Sequence, residues 1–76
     1  MNRAMLLDHL DQAEGHVTQG EQHIAAVRER IAELTRDGHD TTLATDLLAT
    51  LEESQALHVA GRNRIRAELA DPANAQ

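Results

Sequence analysis

From Leu6 to Leu34 the apolar and small residues follow one another at intervals of four and three without a slip: Leu6, Leu10, Ala13, Val17, Gly20, Ile24, Val27, Ile31 and Leu34. A row held for four heptads specifies a helix that packs along a narrow coiled-coil stripe, and little else. The positions between are mostly polar or Ala, as a solvated flank requires. Asn2 is placed to cap the start of this helix. Arg36 suits its negative end, and Gly38 can adopt the left-handed conformation that closes it. The first helix is therefore expected over residues 3–36 and a turn over 37–41.

Asp40, Thr41 and Thr42 are three successive N-cap candidates for a second helix. That helix carries Leu43, Ala44, Leu47, Leu48, Leu51, Leu57, Val59, Ile65 and Leu69, and Asp71-Pro72 ends it. It is expected over 42–70, with a frayed tail over 71–76. So short a connection joins antiparallel neighbours. Folding about His39 pairs residues whose numbers add to about 78. Ile31 is then expected to face Leu47, Ile24 to face Ser54, Gly20 to face His58 and Val17 to face Gly61. The fold class is all-α: one domain, a two-helix antiparallel hairpin, coiled-coil-like.

A hairpin has one internal interface, and here that interface is poor in bulk. The chain has 76 residues, no aromatic side chain and no cysteine, and thirteen of its apolar residues are Ala. Chains of this size need a staple or a partner, and without cysteine neither a disulfide nor a thiolate metal site can serve. Leu48, Leu57, Met5 and Leu7 fall off the expected seam and form the expected interaction face. Covering them with a second copy gives a homodimeric four-helix bundle; another helical protein is the alternative occupant.

Charge and composition set aside several function classes. Thirteen acidic residues against seven arginines and no lysine give a net charge of −6, the wrong sign for neutralising phosphates, so no nucleic-acid partner is expected. No apolar run reaches membrane-spanning length, and Asp8 interrupts the only candidate signal segment, so no membrane partner and a cytoplasmic location are expected. Ser54 is the only serine, and Glu52 and Glu53 diverge around a helix, so no catalytic residue and no enzymatic activity are expected. No cofactor motif is present.

Two constellations remain. His9, His16 and His23 recur every seven residues on one flank of the first seam, with His58 in the second stripe and His39 in the turn. Histidines seven apart lie about 10.5 Å apart along a helix, too far to share an ion unaided. His16, His23 and His58 are nonetheless the residues a metal- or ligand-binding bundle would use. His58 opposite Gly20, with Ser54, Gln55, Gly61 and Arg62 nearby, reads as a polar layer that fixes register, the alternative being a small pocket. Arg62, Arg64 and Arg66 are expected to form a salt-bridged face with Asp8, Asp11 and Glu14.

The segments Arg36-Asp37-Gly38-His39-Asp40-Thr41, Leu47-Leu48-Ala49-Thr50 and Gln55-Ala56-Leu57-His58 with Arg62 resemble those of short uncharacterised helical-hairpin proteins of proteobacteria. So do His16-Val17, Gly20-Glu21 and His23-Ile24. The resemblance covers about residues 2 to 70 and implies a bacterial stand-alone hairpin, with no established activity. The reading that results is a non-enzymatic interaction or structural protein; the alternative is the small metal- or ligand-binding bundle.

Overall fold

In a computed structural model describing residues 2–74, the chain forms two helices, α1 over Arg3–Arg36 and α2 over Thr42–Ala70, followed by a single 3-10 turn over Pro72–Asn74. Both helix boundaries coincide with those expected. Asn2 caps α1 through its side chain, which accepts a hydrogen bond from the Met5 N–H at 2.9 Å. At the other end, Gly38 has φ 74°. Its N–H reaches the Thr35 carbonyl at 3.2 Å, and the His39 N–H reaches that of Leu34 at 2.8 Å. This is a Schellman closure, and it works because glycine adopts positive φ without a Cβ clash.

The start of α2 is held by Asp40 rather than by the positional cap Thr41, whose side chain makes no capping bond. The Asp40 carboxylate accepts from the Thr42 hydroxyl at 2.7 Å and from the Thr42 N–H at 2.9 Å. The hydroxyl bond, then the backbone bond, hold the Asp40 carboxyl below its ordinary value of 3.8, against a smaller opposing effect of burial. A carboxylate with a lowered folded pKa contributes its stability above the unfolded pKa and loses it as pH falls through the folded one. Asp40→Ala should therefore lower the thermal midpoint at neutral pH, and the gap from wild type should close on the acid side of the carboxylate range. Asp37→Ala, which removes a negative charge beside the negative end of α1, should show no such loss.

Of the C-terminal segment expected to fray, residues 71–74 are described, and a 3-10 turn over Pro72–Asn74 follows α2. Asp71 is extended (φ −72°, ψ 125°), as a residue before proline tends to be. Its side chain accepts from the Ala73 N–H at 3.0 Å, closing the 3-10 turn. Ala75 and Gln76 lie outside the described residues.

The helices pack antiparallel into a rod of 58 × 14 × 13 Å. Two exposed ion pairs join them, Arg28–Glu52 and Glu14–Arg66, each at 3.3 Å. Pairs so exposed contribute little to stability, but they show which flanks lie side by side. Of the expected arginine face, Arg66 finds Glu14. The half-buried Arg62 instead donates to the Asn63 side chain, at 3.3 and 3.2 Å.

The seam of α1 is as expected: Leu6 and Val17 are buried, and Leu10, Ala13, Gly20, Ile24, Val27, Ile31 and Leu34 are half-buried. The seam of α2 needs correction. Its half-buried residues include Ala44, Leu48, Leu51, Gln55, Val59, Arg62, Ile65 and Leu69, whereas Leu47, Ser54 and His58 are exposed. Leu48 therefore belongs to the intramolecular seam, and Leu47 takes its place outside. Gln55, not His58, lies against Gly20. Its amide donates to the Val17 carbonyl at 2.8 Å, and its Oε1 occupies the space a Cβ on residue 20 would need. The physical reason is fit. A glutamine lies flat along the gap a glycine leaves, whereas an imidazole is stiff and remains outside.

Candidate functional site

Rotating α2 so that Leu48 and Gln55 point inward carries a second row of residues outward. Leu43, Leu47, Thr50, Ser54, Leu57 and Gly61 succeed one another at intervals of four, three, four, three and four, a heptad row beside the one that packs on α1. All but Gly61 are exposed. Leu43 is 85% exposed and Leu57 74%, with Leu47 at 49%. Leu43 and Leu57 so placed gain little from the hairpin itself, and Leu47 only half of what burial would give. On α1, Met5, expected on the interaction face, is 49% exposed on the same side of the rod, and Leu7 is 47% exposed on the opposite flank. Of the four residues expected on the interaction face, Met5, Leu7 and Leu57 are thus outside and Leu48 is inside. Leu43 and Leu47 were missed. Their 4-3-4-3-4 spacing marks a row, but spacing alone does not say which row of α2 faces outward.

Next to this row the two helices leave a hollow of about 130 Å³, lined by His16, Gln19, Gly20 and His23 from α1 and by Leu51, Ser54, Gln55 and His58 from α2. It exists because Gly20 and Ser54 supply no bulk where a leucine would close the gap. The three histidines singled out by the sequence thus border one hollow. The rings of His16 and His58, one from each helix, have centroids 5.5 Å apart and planes inclined at 39°. Among the described residues, however, no three of His, Asp and Glu come together as a ready-made metal cage. His9, on the same flank one heptad before His16, and His39 in the turn do not line the hollow.

The floor of the hollow contains one unsatisfied group. The Gln55 Oε1 is buried and has no hydrogen-bond partner. Its neighbour is the α-carbon of Gly20, whose hydrogen takes the place of a Cβ, leaving only a weak Cα–H···O contact. No helix among the described residues is long and apolar enough to cross a membrane. Set against known protein families, curated proteins and solved structures, the chain finds no match in any of the three.

Proposed function

We propose that this chain is a non-enzymatic interaction protein whose α2 outer row, Leu43, Leu47 and Leu57, docks against a second copy of itself to complete a four-helix bundle. The observation that carries the reading is an excess of surface. A compact monomer of 8.3 kDa exposes about 4,600 Å² by the usual size scaling. This chain exposes 5498 Å². The difference, about 900 Å², is the added surface of a rod 58 × 14 × 13 Å, and the exposed Leu43, Leu47 and Leu57 lie on it.

Only Leu6 and Val17 are buried among the described hydrophobic residues, so the hairpin alone has almost no dry core. A second copy supplies an identical leucine row, and a two-fold axis brings like patches together. Thr50, Ser54 and Gly61 within the row are small enough to let two helices approach closely. The dimer in turn is a scaffold, and any further partner is a helix that the remaining exposed side chains can receive. The test is sedimentation equilibrium, read by interference optics because the chain has no aromatic residue. A dimer mass at micromolar concentration is expected. A monomer mass at 100 µM would end the proposal.

A further inference from the structure

We propose that His16 and His58 form a two-histidine site for a divalent first-row transition ion that clips α1 to α2 at the rim of the hollow. The inference rests on four observations within a single chain and does not depend on the dimer. The first is separation. Two imidazoles bound to one zinc ion with Zn–N bonds of about 2.1 Å put each ring centroid about 3.2 Å from the ion, and the two centroids about 5.2 Å apart at a tetrahedral angle. The rings stand at 5.5 Å, close to that separation.

The second observation is room. The hollow of about 130 Å³ beside the pair holds several waters at ~30 Å³ each, which an ion with only two protein ligands requires to fill its coordination. The third is the donor set. His16 and His58 are joined at the hollow by His23, Gln19, Ser54 and Gln55, and no carboxylate lines it. Imidazole donors without carboxylates select zinc, nickel or copper and give calcium or magnesium nothing they prefer. The fourth is access. His16 and His58 are exposed, so binding expels no packed side chain. An ion held by one histidine from each helix joins segments far apart in sequence, and binding and hairpin stability are then linked.

Isothermal titration of the chelator-washed chain with zinc chloride tests the assignment. One zinc per chain, with saturable heat, is expected for the wild type. His16→Ala and His58→Ala should each weaken binding at least about tenfold, while His39→Ala, altered in the turn, should leave it unchanged. Far-UV circular dichroism on each variant checks that both helices remain, which the exposure of these rings leads us to expect. The same titration on Leu57→Asp should give the wild-type affinity, so that loss of the dimer and loss of the site are told apart. No saturable binding at millimolar zinc, or wild-type affinity in either His16→Ala or His58→Ala, would overturn the proposal. Zinc binding that disappears in Leu57→Asp would overturn it too, because the ligands would then come from two chains.

Discussion

Leu57→Asp is expected to leave the hairpin folded and to convert the proposed dimer to monomer. The leucine is 74% exposed in the single chain, so its loss removes almost no packing between α1 and α2. In the dimer it would be buried twice, once per copy. Removing a buried leucine side chain gives up about 1.5–3 kcal/mol, and two copies give up roughly 3–6. With a tenfold change for every 1.4 kcal/mol, the dissociation constant should rise by at least about a hundredfold. The new carboxylates also add negative charge to an interface between chains that each already carry −6. Two controls separate this from general disruption. Glu53→Ala, at an exposed position of the same helix, should leave the dimer mass unchanged. Leu48→Asp should reduce helix content itself, because Leu48 sits between the helices. If Leu57→Asp and Glu53→Ala sediment alike, the outer row of α2 is not the interface.

The sequence showed some features of this architecture plainly and left others ambiguous. Helix limits were legible because capping chemistry is local: Asn2, Gly38, Asp40 and Pro72 each act within a few residues. The α1 seam was legible because only one 4-3 row runs through it. On α2, two neighbouring rows are open to the backbone. Leu47 with Ser54 and Leu48 with Gln55 offer the same sequence of one leucine and one polar residue, and periodicity cannot rank them. The choice depends on a contact between positions far apart in the chain, the lodging of Gln55 against Gly20, which no local pattern encodes. The same rotation moved His58 from the expected core to the rim. The histidines expected to be candidates did gather at one hollow, yet their pairing across the helices depends on that rotation and could not be read from their spacing on either helix alone.

Gln55→Leu is expected to stabilise the hairpin. As it stands, Gln55 makes one hydrogen bond, to the Val17 carbonyl at 2.8 Å, and leaves its Oε1 buried without a partner. The bond is worth about 1 kcal/mol, and the orphaned oxygen costs about 1–3. Replacing the amide removes both. The Val17 carbonyl lies inside α1 and keeps its place in the helix ladder, so no new unpaired group is created. A leucine at this seam position adds apolar contact with the gap that Gly20 leaves, and the net effect should be a gain of roughly 1–2 kcal/mol. For a domain of this size each kcal/mol moves the thermal midpoint by about 4–8 °C. Gly20→Ala should also raise the midpoint. Alanine gains about 1 kcal/mol of helix propensity over glycine, and although its Cβ evicts the end of Gln55 and loses the bond to Val17, the same movement frees the orphaned Oε1. Melting curves for the three chains at one fixed concentration provide the check, since association makes the midpoint concentration-dependent. A midpoint for Gln55→Leu below that of wild type would mean that the glutamine contributes more to the seam than its single hydrogen bond, and that a polar pin at this layer is what holds the two helices in register.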